Sequence, residues 1–136
     1  MVTKISKNAF RNLLDECDLS SKLTQSGNFI VSLEADNDFG HNVDIMFFIN
    51  EETGRLDSLG VADSDFNISN DELAHAYVIC NEWNRNYITQ AYVADNSFWV
   101  SYSIIIDEPV SESFIKENFI RISTSVFWQF FCSLVK

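Results

Sequence analysis

Between Val126 and Val135 the apolar residues of this chain spread around most of a predicted helix instead of lining one stripe. A surface helix of a globule shows a single apolar stripe, so a helix apolar around its circumference must be covered from two sides. Phe127, Trp128, Phe130 and Phe131 impose that demand. Two arrangements satisfy it: the helix is sandwiched inside the fold, or it and the sheet form a dimer or partner surface, with Trp99 on the outer side of the final strand.

The remaining elements supply what such a helix can pack on. Residues Val2 to Leu19 space Ile5, Ala9, Leu13 and Cys17 four apart, with Phe10 and Leu14 on the same side, which reads as an amphipathic helix. After a polar linker over 20–28, Phe29 to Glu34 reads as a strand, Glu34 to His41 as an acidic loop, and Val43 to Ile49 and Arg55 to Ala62 as two strands joined at a turn whose Gly54 takes positive φ. Ser69-Asn-Asp-Glu72 is a capping box that opens a helix with the stripe Leu73, Ala76, Tyr77, Cys80, Trp83 and Asn84, ending near Asn86 in a left-handed step. Tyr87 to Ala94 and Phe98 to Ile106 form a hairpin around Asp95-Asn96. Past Pro109, Ser111 caps the closing helix, whose seam is Ile115, Phe119, Ile122 and Val126. The order is α-β-β-β-α-β-β-α: an α+β fold, with an antiparallel sheet packed with helices.

Length matches a single domain over residues 1–136, long enough to bury about two thirds of its unfolded surface. Twelve Phe and three Trp beside four Gly and one Pro argue for a packed core. With 9 Lys+Arg against 20 Asp+Glu, a net charge of −11 repels phosphate backbones and anionic lipid surfaces, so nucleic acid is excluded as a partner. Lys4, Lys7 and Arg11 share one helix stripe and read as a solvated face. No stretch reaches the ~18 apolar residues of a membrane span, and Met1 to Phe10 lacks the apolar core of a signal peptide. Cys17, Cys80 and Cys132 lie far apart without metal spacing and read as buried thiols in a reducing, cytoplasmic setting.

The search for chemistry yields no catalytic, cofactor-binding or metal-binding set. Glu34 to Gly40 alternates carboxylates like a calcium loop, but its Gly is displaced and Ile45 stands where a bidentate Glu belongs. Asp63 to Asn67 fails in the same way, and His41 and His75 are isolated from any second ligand. No nucleophile elbow, phosphate loop or dinucleotide fingerprint occurs. The reading is of a chain that is no enzyme and carries no cofactor.

Four segments carry a resemblance: Ile79-Cys-Asn-Glu-Trp-Asn84, Ala91-Tyr-Val-Ala-Asp95, Ser101-Tyr-Ser-Ile104 and Val110-Ser-Glu-Ser-Phe114. Over Leu73 to Phe130 they resemble the YbjN family, whose label is a bacterial sensory transduction or stress regulator. The resemblance implies a fold similar to type III secretion chaperones, whose dimers bind an effector segment, and it brings no catalytic residues. Asn81 and Asn84 match the family's paired Asn and read as amides satisfying backbone where the helix turns into the next strand.

Two functions follow as expectations. The first is a regulatory, protein-binding homodimer that holds a protein or peptide on Tyr92, Trp99, Ser101 and Tyr102 of its sheet, or on Phe127, Trp128 and Phe131 of the last helix, with strand addition at an open edge. The alternative is a small-molecule sensor with an aromatic pocket walled by Trp83, Trp99, Tyr92 and Phe119.

Overall fold

The structure, a computed structural model, describes residues 4–135; Val2 and Thr3, where the sequence reading starts the first helix, lie outside the described residues. Helix α1 (Lys7–Glu16) begins later than its periodicity implies, because the Ser6 hydroxyl accepts from the Ala9 N–H at 3.1 Å and fixes the first turn there. Its end is also earlier, since Asp18 turns left-handed at φ 59 and lets the Leu19 N–H reach back to the Leu14 carbonyl. Lys4 therefore precedes the helix and shares no stripe with Lys7 and Arg11. Ile5 is nevertheless buried, with Phe10, Leu13 and Leu14.

The polar linker holds a strand that alternation does not reveal. β1 (Ser21–Leu23) pairs antiparallel with β2 (Phe29–Leu33), and Gly27 takes positive φ in the turn between them. An edge strand this short buries little, so its residues need not alternate. β3 (Val43–Ile49) and β4 (Arg55–Ala62) follow, joined where Asn50 Oδ1 accepts from the N–H groups of Glu52 and Thr53 and Gly54 adopts φ 77. β5 (Gln90–Ala94) and β6 (Ser97–Ile105) close on Asp95 and Asn96 at φ 53 and 57, the two positive values that a type I′ hairpin needs. The strand order is β1-β2-β3-β4-β6-β5, all antiparallel, so β5 precedes β6 in sequence but sits outermost in space.

A short 3-10 turn, Asn70–Glu72, leads into α2 (Leu73–Asn86), and the Glu72 carboxylate reaches back to accept from the Ser69 N–H at 3.2 Å and from its hydroxyl at 2.7 Å. α2 leaves directly into extended backbone at Tyr87, φ −133, so Asn86 makes no left-handed step. Its side chain instead donates to the Glu82 carbonyl at 2.9 Å.

The closing helix is α3 (Glu112–Ile115), capped by the Ser111 hydroxyl, then π-helical turns over Lys116–Ile120 and Ile122–Val126, then α4 (Phe127–Ser133). A π turn takes more residues than an α turn. That widening carries the seam past Ile122 and Val126, which are half-buried, onto Ile120, Ser123 and Phe127, which are fully buried beside Ile115 and Phe119. Ser123 finds a partner at this depth in the Ser58 hydroxyl of β4, 2.7 Å away.

One core results. Phe119 meets Phe10 of α1, Phe47 of β3 and Tyr102 of β6. Phe130 stands edge-on to Trp83 of α2 and Phe98 of β6, and Phe131 contacts Phe39. Phe39 is brought in from the acidic loop because Asp36 Oδ1 accepts from the N–H groups of Asp38 and Phe39 and folds the loop back. The closing helix thus lies between the sheet on one side and α1, α2 and this loop on the others.

Candidate protein-binding surface

The residues singled out in the sequence fall on three different sides. Phe127 and Phe131 are completely buried inside the chain's own core, which removes them from any surface of the folded monomer. Trp128 is half-buried, edge-on to Phe39 at 5.8 Å, beside a groove that also involves Asp18, Glu34 and Asp36. Tyr102 faces the core and stacks on Phe119 at 6.0 Å, so it is parted from Trp99 and Ser101 by the thickness of the sheet.

Tyr92, Trp99 and Ser101 do share a face, the one that no helix covers. Tyr92 lies directly opposite Trp99 across β5 and β6, and Ser101 opposite Gln90. The Trp99 indole donates to the Ala94 carbonyl at 3.0 Å, which lays the ring along the hairpin. Burial pushes the Tyr92 hydroxyl above its ordinary pKa. Of the aromatic walls expected for a ligand pocket, Trp83 packs in the core against Phe130 and Phe119 against Phe10, while Tyr92 and Trp99 are on the outer face; the four do not enclose a common space.

The most exposed apolar side chains are ones the sequence pattern does not place on a surface. Tyr77 belongs by that pattern to the buried stripe of α2, yet it is 54% exposed, Val78 is 52% exposed and Ile88, just past the helix, is 67% exposed. Ala76, Cys80 and Trp83 face inward. At 100° per residue this leaves Ala74, Tyr77, Val78, Asn81 and Arg85 as a second stripe pointing to solvent. A helical wheel centred on Ala76, Cys80 and Trp83 is the signal that separates the two stripes. Burial also pushes the Cys80 thiol up to about 11, consistent with an inert core thiol.

Asn84 works at the edge of the sheet. Its Oδ1 accepts from the Ala91 N–H at 2.6 Å and its Nδ2 donates to the Ala91 carbonyl at 2.9 Å. Ala91 is on the outermost strand, so both of its outward backbone groups are taken by one side-chain amide, which occupies the place of a further strand. Asn81 lies exposed on the outer stripe and takes no part in this bridge. Nearby, the Trp83 indole donates to the buried Thr89 hydroxyl at 2.9 Å, and Tyr87 stacks on Trp83 at 3.7 Å, fixing the path from α2 into β5.

Of the two histidines, His41 pairs with Asp63 at 3.0 Å. Partial burial opposes ionisation of Asp63, but hydrogen bonds from His41 and the Asn42 N–H outweigh it and hold the carboxyl below its ordinary range. Among the described residues no group of three or more His, Cys, Asp or Glu is placed to hold a metal ion, and no helix is long and apolar enough to cross a membrane.

No family model matches the chain, and no curated protein matches it by sequence. The solved structures that match in fold include the following two. One is YbjN, a provisionally assigned transcription regulator from E. coli, with a TM-score of 0.70 and 14% identity over 98% of this chain and 93% of that one. The other is a chain of the ExsC–ExsE complex, with a TM-score of 0.50 and 17% identity over 90% of this chain and 92% of that one. At such identities the likeness speaks for the path of the backbone and not for the activity. The chain has a YbjN-like, type III secretion chaperone-like α+β fold.

Proposed function

We propose that this protein is a non-catalytic regulatory module that binds other proteins and acts as a homodimer, joined through the outer stripe of α2. The exposed stripe itself carries the reading. Ala74, Tyr77 and Val78 put an apolar patch on this face, in a chain whose net charge is −11, and the exposed Glu82 beside it is offset by Arg85 of opposite charge. Two copies of so acidic a molecule repel each other over most orientations, and an apolar patch whose one neighbouring carboxylate is balanced by an arginine offers a less unfavourable approach. A helix of 14 residues is about 21 Å long, so the stripe alone is smaller than a standard interface of roughly 800 Å² per partner. Ile88, 67% exposed just past the helix, adds apolar surface at its C-terminal end. YbjN's assignment as a regulator, and the occurrence of the second neighbour in a complex with another protein, support a binding role over a catalytic one. The outer sheet face around Tyr92, Trp99 and Ser101 then remains available to a different protein.

A Val78→Cys variant tests the dimer directly. Oxidation at micromolar concentration is expected to yield a covalent dimer through the introduced thiol, because a two-fold interface centred on this stripe would bring the two copies of position 78 together. Cys80 and Cys132 are buried and do not compete, and the wild type, which keeps the half-buried Cys17, is the control. Monomer alone after oxidation, with the variant folded, would remove α2 from the interface.

A further inference from the structure

We propose that the unpaired half of β6, with the start of the closing helix, is a slot for an extended peptide of alternating apolar residues flanked by basic ones. The inference rests on the reading of the chain as a protein-binding module and gives it a specific peptide class and place.

Strand parity leads to it. Both backbone groups of Ala91 are bonded to Asn84, so Ala91 and its opposite, Val100, form a pair without mutual hydrogen bonds. Alternation then turns the N–H and C=O of Val100 and Tyr102 toward β4, and those of Ser101, Ser103 and Ile105 toward β5. β5 starts at Gln90, opposite Ser101. Past that point β6 continues to Ile105 with no strand beside it, and Ser103 and Ile105 each present an N–H and a C=O on the open side. The fold shields the outer edge of β5 with Asn84 but leaves this edge, one strand further in, uncovered.

Beside the open edge lies a groove walled by Tyr102, Ile104, Val110 and Phe114, with Ile105 at its lip. Ile105 is 60% and Phe114 43% exposed, so both are apolar surface awaiting cover. A strand added to Ser103 and Ile105 would continue the line of β5. Its alternate side chains would drop against Ile104 and Phe114 while the others ran along the outer face. Among the described residues the charged groups lining the groove are Asp107 and Glu108, and neither has an ion-pair partner there. That charge selects a peptide with lysine or arginine beside its apolar run, and discriminates against an acidic one.

The test uses fluorescence anisotropy on the full chain. The probe is a labelled synthetic peptide of alternating valine and threonine, about seven residues long, with lysine at each end. Ser103→Pro removes the outward N–H and places a ring on the open edge; it keeps the main-chain ladder to β4 but loses the bond from the Ser103 hydroxyl to the Asp57 carboxylate. The wild type is expected to bind the lysine-ended peptide, and the variant to bind it at least tenfold more weakly while remaining folded by circular dichroism at the assay temperature. A glutamate-ended peptide is expected to bind the wild type at least tenfold more weakly than the lysine-ended one. No binding of the lysine-ended peptide at about 1 mM would overturn the proposal. So would equal affinity in the variant or equal affinity for the two peptides; should Ser103→Pro not fold, Ile105→Pro, which removes the next outward N–H, is read in its place with the same expected loss. If Ser103→Pro turns a dimer into a monomer, the edge belongs to a second copy and the slot reading fails. Because the Val78→Cys experiment reads α2 alone, loss of the slot would leave the dimer reading standing, and the converse also holds.

Discussion

Phe127→Ala is expected to be among the most damaging single truncations in the chain, at about 4 kcal/mol by urea unfolding. Its ring is fully buried and lies directly on the backbone of β4: a Cβ built on Gly60 would come within 2.7 Å of Phe127 Cδ2. The sheet and the closing helix approach so closely only because position 60 has no side chain. Gly60→Ala alone is therefore expected to cost about 1–3 kcal/mol by forcing the ring aside. In the Phe127→Ala background the same methyl group enters the vacated space, so its cost should shrink or change sign. Additive losses in this double-mutant cycle would mean that the helix does not press on β4 here.

Asn84→Ala is expected to cost about 2 kcal/mol, measured as a lowered urea midpoint with an unchanged slope, because it leaves two backbone groups of Ala91 without their partner. The same change uncovers the outer edge of β5, so the variant should also associate at concentrations where the wild type keeps its native mass. Asn81→Ala is the control for the bridge, since its side chain is exposed and outside it; with both variants compared as monomers, its effect should fall within about 0.5 kcal/mol. Equal losses at the two positions would contradict the edge-shielding role of Asn84.

Much of the backbone is legible in the sequence because its signals are local. β3 and β4 follow the apolar alternation of Val43 to Ile49 and Arg55 to Ala62, and the Asp95-Asn96 turn follows from residues that tolerate positive φ. β1 is not legible, since an edge strand formed by Ser21, Lys22 and Leu23 has almost nothing to bury. The closing helix is evident, but its expected seam departs from the observed one beyond Phe119 because a period of 3.6 residues does not anticipate π turns. The candidate surface is the least legible part. Apolar content cannot by itself distinguish a core residue from an interface residue, so Phe127 and Phe131 fit either role by sequence, and Tyr77 fits the core. What separates them is which flank each element turns to the sheet, a property of tertiary packing.

Sequence and fold also part company in a useful way. At 14% and 17% identity the two structural neighbours share the backbone path and few residues, so their likeness carries no argument about the α2 stripe or the open half of β6, which rest on this chain's own geometry.

The most direct test is the solution mass of the wild type and of Tyr77→Glu at micromolar concentration, by light scattering or sedimentation. Tyr77 is largely exposed in the single chain, so the substitution should leave the fold of that chain intact by circular dichroism. It also places a carboxylate within the apolar patch of the outer stripe. The account predicts the mass of two 15.6 kDa chains for the wild type and of one for the folded variant. A wild type that is monomeric under these conditions, or a variant that stays dimeric, would contradict it.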